Sequence, residues 1–365
     1  MKRLTAIVCL AAALICAGCK SATPDEVAAM RLDSLLTASF PADAPGAAMI
    51  VLRGDDVIFS KGYGLADMET KAPIDCNTFF NIASMSKQFT AVAILKLAEE
   101  GKISLDDSMS KYYPEFKGEF WKDIQIHHLL SHSSGIPDAR GGIPREEKIK
   151  ATDSLAIAFF NDLDHVDALP GERYSYCNPT YTLLGDLITR VTGQEFGEYM
   201  RENIFTPAGM EKTLYYVPGH EDEIPAMAHG YTFEDGAWQE EDYGETTFFA
   251  TRPDGGIYTS VNEFVNWEKA IRNCSVISAE SIAEAQSGKI MENESPRRDY
   301  GYGWIVEQNE DIPAVCIFHA GGNGGFRSFG VRYPESNTFW AIFTNRSDFR
   351  WQEYKPQFEK ILFNL

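Results

Sequence analysis

The spacing of apolar residues changes along the chain, and each change predicts an element. Ala28, Leu32, Leu35 and Leu36 recur at helical intervals behind Thr23-Pro24-Asp25-Glu26, a capping box with proline at the first helical position. Ala47 to Arg53 and Val57 to Ser60 are strand-like runs on either side of Gly54-Asp55-Asp56, which predicts a β-hairpin. Phe89 to Ala98 is apolar nearly all round, so this helix is expected to be buried, and Gly101 stops it. Residues from about 84 to 250 read as mainly helical and loop-rich, with helices over Tyr181 to Val191 and Phe196 to Phe205. Strand-like runs return late, at Gly303 to Val306, Val315 to His319, Phe329 to Tyr333 and Phe339 to Thr344. Trp351 to Leu362 reads as a closing amphipathic helix, interrupted early by Pro356.

This order predicts an α/β fold of the α+β kind. One central antiparallel sheet is built from both chain ends and flanked by helices, and the middle of the chain adds a mainly helical subdomain. The 365 residues suffice for one unit of that design, and no repeat or linker suggests another.

Charge and targeting narrow the partners. A formal net charge of −20 disfavours a nucleic-acid partner. Lys2 and Arg3 followed by the apolar run Leu4 to Ile15 read as a secretion signal, too short for a comfortable membrane span. The signal is expected to cover residues 1–18 and to end at Cys16-Ala17-Gly18-Cys19. Residues 19–23 would be a short tether and 24–365 the folded domain. Cys76, Cys177, Cys274 and Cys316 are widely spaced with no CxxC; one or two disulfides or four buried thiols both fit.

Candidate chemistry begins at Ser84-Met85-Ser86-Lys87, at the start of the apolar helix. Serine and lysine three apart on a helix point the same way. An amine one turn away can take the serine's proton once burial has lowered its pKa toward neutrality. Ser108-Met109-Ser110-Lys111 repeats the pattern but runs into Tyr112-Tyr113-Pro114, which reads as a surface turn. Tyr176-Cys177-Asn178 sits in a turn-rich stretch, with a phenol able to relay a proton and an amide that both donates and accepts. His319-Ala320-Gly321-Gly322 ends a strand-like run, and its bare backbone can approach a substrate and point N–H groups at an oxyanion. His127, His128 and His132 cluster without H-E-x-x-H, and Ser133-Ser134-Gly135-Ile136-Pro137 breaks any helix at once; a structural role is expected, with a metal hydrolase as a rival. No G-x-S-x-G elbow is present.

Taken in order, Ser84–Lys87, Tyr176–Asn178 and His319–Gly321 resemble the SxxK, YxN and KTG-like motifs of serine β-lactamases and penicillin-binding proteins. The chain is most similar to the class C β-lactamase-related serine hydrolases, with their D-aminopeptidase, D-Ala-D-Ala carboxypeptidase and esterase relatives. Leu129–Pro137, Tyr181–Gly185, Asn203–Phe205, Gly209-Met210, Gly255–Tyr258 and Gly301–Trp304 extend the likeness over nearly the whole chain after the signal.

The resemblance implies a β-lactamase/transpeptidase-like fold and a serine hydrolase that needs no cofactor. It implies Ser84 as nucleophile, Lys87 and Tyr176 as the proton-handling pair, and Asn178 orienting Lys87 and the substrate amide. The backbone N–H groups of Ser84 and Gly322 would form the oxyanion hole, with Gly321 beside them in the substrate strand. His319, the remaining catalytic candidate, and Ala320 stand where the β-lactamase pattern has lysine and threonine. That departure points toward aminopeptidase or esterase chemistry and away from efficient β-lactam hydrolysis. It also leaves a rival: a retired scaffold that binds envelope peptides or glycans. Cys19 resembles a lipobox cysteine, so the protein is expected to be lipid-anchored in a bacterial cell envelope, periplasmic or outer-membrane-associated, with simple cleavage and soluble secretion as the alternative, acting on a small molecule or peptide.

Overall fold

The computed structural model describes residues 22–138, 152–241, 251–291, 297–308, 312 and 315–365. The expected signal and Cys19 lie outside the described residues.

The expected hairpin forms from β1 (Ala47–Arg53) and β2 (Asp56–Tyr63). Short strands follow in the middle of the chain: β3 (Phe80–Asn81), β4 (Leu214–Tyr215), β5 (Tyr231–Glu234), β6 (Ala237–Glu240) and β7 (Ile257–Thr259). The late strands are β8 (Ile290–Met291), β9 (Arg298–Tyr300), β10 (Ile305–Gln308), β11 (Val315–Asn323), β12 (Phe326–Tyr333) and β13 (Thr338–Thr344). Eight of them form one antiparallel sheet in the order β2-β1-β13-β12-β11-β10-β9-β8, so the two chain ends meet at β1 and β13. Ala47 lies opposite Thr344 and Arg53 opposite Thr338. The central strand β1 is apolar on both faces because helices cover both, whereas edge strand β2 alternates toward solvent.

One face carries Met49, Val51, Trp340 and Ile342 against Leu32, Leu36, Phe358 and Leu362 of the helices Pro24–Ser39 and Trp351–Phe363. The first of these helices starts with the expected capping box at Thr23. The other face carries Ala48, Ile50, Leu52, Ala341 and Phe343. There Phe264 of helix Val261–Arg272 meets Phe343 edge-on, 5.4 Å between ring centres.

One expectation fails at the C-terminus: Pro356 does not interrupt the last helix, which runs unbroken from Trp351 to Phe363. Proline there removes a single i→i−4 bond, and the burial of Phe358 and Leu362 outweighs that loss. Cys76, Cys177, Cys274 and Cys316 are all free thiols.

Candidate active site

The site begins where β3 ends. β3 pairs with β7, and the chain then turns sharply into a 3₁₀ turn, Ala83–Ser86, that continues as the helix Lys87–Glu99. Ala83 takes φ +48°, a left-handed conformation that costs a non-glycine residue about 1–2 kcal/mol. Fixed partners hold it there. The Ala83 N–H donates to Asn81 Oδ1 at 3.0 Å, and Asn81 Nδ2 donates to the Gly255 carbonyl at 3.2 Å. The Ile82 carbonyl accepts from Ser328 Oγ of β12 at 2.7 Å and from the Met85 N–H at 3.2 Å. Ser84 emerges from this pinned turn half-buried.

Lys87 is completely buried. Its Nζ donates to Ser84 Oγ at 3.1 Å, to Asn178 Oδ1 at 2.7 Å and to the Asp254 carbonyl at 2.7 Å. It also lies 5.1 Å from the ring centre of Tyr176 and 5.6 Å from that of Tyr181. A buried amino group needs such a set, since each unsatisfied polar group would carry its full desolvation cost.

Three elements therefore converge on one amine. The helix Asn178–Thr192 opens with Asn178 at its first turn. The four-residue helix Arg252–Gly255 turns its carbonyls toward the Lys87 helix and the strand before it: Asp254 accepts from Lys87, Pro253 from Thr90 Oγ1 at 2.7 Å and Gly255 from Asn81 of β3. Arg252 anchors that short helix, with Nε donating to Asp153 Oδ2 at 2.8 Å and Nη1 to Glu195 Oε1 at 2.5 Å.

Strand β11 forms the remaining wall. Gly321 lies so close to the turn before Ser84 that a Cβ there would collide with the Ile82 carbonyl and Ser328 Oγ. That is the reason for glycine at 321, independent of any role in binding. β10 pairs with β11 only as far as Phe318, so residues 319–323 have no strand partner on that side among the described residues. His319 turns inward. Its Nδ1 donates to the Ala320 carbonyl at 2.6 Å and its Nε2 accepts from the Tyr300 hydroxyl at 3.0 Å. Burial, reinforced by the neighbouring Lys87 charge, pushes its pKa down to about 3. It is a neutral ring with both nitrogens engaged, and it presents no cation where the β-lactamase pattern has lysine.

The structure thus brings together Ser84, Lys87, Asn178 and the Tyr176 ring, sets Gly321 against the same turn with Gly322 next along β11, and seals His319 behind them. The histidine cluster is divided. His128 Nδ1 accepts from the Gln125 N–H, while His132, beyond the end of helix Ile126–Leu130, is buried against Tyr176. Sequence reasoning missed the Asp254 carbonyl, because a backbone acceptor leaves no mark in a sequence. It assigned no bracing role to Asn81, which lies in the run leading into Ser84, or to Tyr300, which stands just before the Gly301–Trp304 stretch of the resemblance.

Known proteins fit this geometry. Among curated proteins, Penicillin-binding protein 4* of Bacillus subtilis (strain 168) is 28% identical over 82% of this chain and 68% of its own length. Protein flp of Staphylococcus aureus (strain MW2) is 29% identical over 86% of this chain and 61% of its own length, so the chain spans less than two thirds of that relative. Among solved structures, the octameric penicillin-binding protein homologue from Pyrococcus abyssi superposes with a TM-score of 0.79 at 28% identity, covering 92% of this chain and 76% of its own. The penicillin-binding protein from Bacillus halodurans gives 0.77 at 26% identity, covering 89% and 97%. With the beta-lactamase family model matching residues 35–357, around a buried lysine that joins the SxxK serine to the YxN asparagine, the chain belongs to the beta-lactamase family.

Proposed function

We propose that this protein is a serine hydrolase that cleaves an amide or ester through an acyl-enzyme on Ser84. The observation that carries this reading is the fully buried Lys87 amino group, hydrogen-bonded to both Ser84 Oγ and Asn178 Oδ1. With the Lys87–Tyr176 pair holding one proton fewer than an ammonium and a phenol together, Ser84 Oγ attacks the substrate carbonyl carbon and its proton passes to that pair. The N–H groups of Ser84 and Gly322 receive the oxyanion. Collapse breaks the bond to the leaving alcohol or amine, which takes up the proton. Water then attacks the acyl carbon, gives its proton to the same pair and releases the acid, and Ser84 Oγ regains its proton.

Substrate preference follows from His319. A neutral, internally bonded imidazole offers no charge-assisted hydrogen bond to a substrate carboxylate, a loss of about 1.5–3 kcal/mol. Substrates without a carboxylate, such as simple esters and D-amino-acid amides, suit the site better than β-lactams or carboxylate-terminated peptides. The same feature favours the second reading, a retired scaffold that binds without turnover.

A fluorophosphonate probe and a panel of β-lactams, D-amino-acid amides and short esters, read by intact-protein mass spectrometry, test both. Adducts on Ser84 that vanish in Ser84→Ala, with turnover of an ester, support the hydrolase; binding with neither adduct nor turnover supports the retired scaffold. For location, we propose that residues 1–18 are removed and Cys19 is lipidated, on the strength of Lys2, Arg3, the apolar run to Ile15 and the lipobox-like Cys16–Cys19. Loss of alkyne-palmitate incorporation in Cys19→Ala is the expected result; retained incorporation would end that proposal.

A further inference from the structure

We propose that His132 is the positioning residue of Tyr176, holding the phenol in the site through an acceptor at Nδ1. This rests on the reading of Tyr176 as half of the proton-handling pair.

His132 grips three consecutive residues centred on that tyrosine. The Ser175 N–H donates to the His132 carbonyl at 2.8 Å. The Tyr176 ring lies 4.2 Å from the imidazole centre, tilted by 39°. The Cys177 N–H donates to His132 Nδ1 at 3.2 Å. His132 itself is completely buried and takes φ +55°, the left-handed region that non-glycine residues adopt at a cost. Cys177 is the residue from which the helix Asn178–Thr192 starts. One residue therefore fixes the backbone on both sides of Tyr176, Ser175 through its carbonyl and Cys177 through its imidazole, and with Cys177 the origin of the helix carrying Asn178.

Only an unprotonated Nδ1 can accept that bond. Burial, helped by the nearby Lys87 charge, pushes the His132 pKa well below its ordinary value, which keeps the ring neutral. The ring is also packed by Tyr181 at 5.1 Å and Tyr300 at 4.8 Å, so it has little freedom to turn. Nε2 has no hydrogen-bond partner among the described residues. The chemistry required at 132 is therefore one acceptor at the Nδ1 position on a residue that tolerates φ above zero. Asparagine supplies both, its Oδ1 standing where Nδ1 stands. Phenylalanine supplies the packing without the acceptor.

The test compares His132→Ala, His132→Asn and His132→Phe with wild type and Ser84→Ala, measuring p-nitrophenyl ester kinetics, thermal melts and the crystallographic position of Tyr176. A misplacement of about 1 Å is expected to lower kcat about 100-fold in His132→Ala and His132→Phe, with KM within about 3-fold. His132→Asn is expected to restore kcat to within about 5-fold of wild type and to return the phenol to its place. A folded His132→Ala enzyme with wild-type kcat overturns the proposal. So does recovery in His132→Phe but not in His132→Asn, which would assign the effect to packing alone. Should His132→Ala not fold, the Asn and Phe variants decide the matter by the same criterion. Turnover that is equal in wild type and Ser84→Ala would instead sink the acyl-enzyme reading. The Tyr176 positions in the three variants would then still decide the role of His132.

Discussion

The chain contains the tetrapeptide Ser-Met-Ser-Lys twice, and the two copies have different fates. In the first, Lys87 has no exposed surface and spends its donors on Ser84, Asn178 and a backbone carbonyl. In the second, Lys111 is 56% exposed and pairs with Asp107 at 2.8 Å, which holds its ammonium further up in pKa. Ser84 emerges from a strained turn into the site. Ser108 instead caps the short helix Met109–Tyr112, its Oγ accepting from the Ser110 N–H at 3.3 Å and donating to the Trp121 carbonyl at 3.0 Å. Identical side chains at identical spacing thus become a candidate catalytic pair or a helix cap. What differs is whether other elements close over the lysine.

Matched substitutions in the two copies sharpen that contrast. Ser84→Ala is expected to lower ester turnover by about 10³-fold or more, while Ser108→Ala leaves kcat within about 2-fold. Equal effects at the two serines would erase the distinction. Lys87→Met, which keeps the buried volume and removes the amine, is expected to cost about 10²–10⁴-fold in kcat, against no measurable loss for Lys111→Met.

Arg252→Ala probes the wall that the second copy lacks. Freed from Asp153 and Glu195, the Asp254 carbonyl should hold Lys87 less well, and kcat is expected to fall about 10-fold with the fold intact. Unchanged kcat would show that Arg252 does not position the Lys87 acceptor.

A smaller effect is expected on stability against pH. His319 has its folded pKa depressed to about 3, and a free histidine titrates near about 6.5. Between these values the unfolded chain binds the proton and the folded chain does not. Stability is therefore full above about pH 6.5 and is lost progressively as the pH falls toward 3. Thermal melts from pH 7 to 4 should show a shallower decline in His319→Gln than in wild type. Last, Ser108→Ala should cost about 1 kcal/mol of stability through its lost cap, read by denaturant unfolding.

Much of this was legible in advance. The capping box at Thr23, the hairpin at 54–56, the buried helix after Lys87 and the late strands follow from local periodicity and turn chemistry, which act over a few residues. Less legible were the two- and three-residue strands β3, β4 and β7. They are too short to carry a period, and they exist because each finds a partner far along the chain. The unbroken helix through Pro356 is of the same kind, local propensity yielding to the packing of Phe358 and Leu362.

The sequence by itself determined which residues could do chemistry: a serine and lysine one turn apart, a tyrosine two before an asparagine, and a glycine-rich strand end without the usual lysine. Only the tertiary structure decided which of the two lysines is buried, that His319 faces inward on Tyr300, and that His132 and the Asp254 carbonyl belong to the site at all. The physical reason is that burial and hydrogen-bond satisfaction are properties of what surrounds a side chain. Around Lys87 two of the three hydrogen-bond partners, Asn178 and Asp254, lie 91 and 167 positions away in the chain.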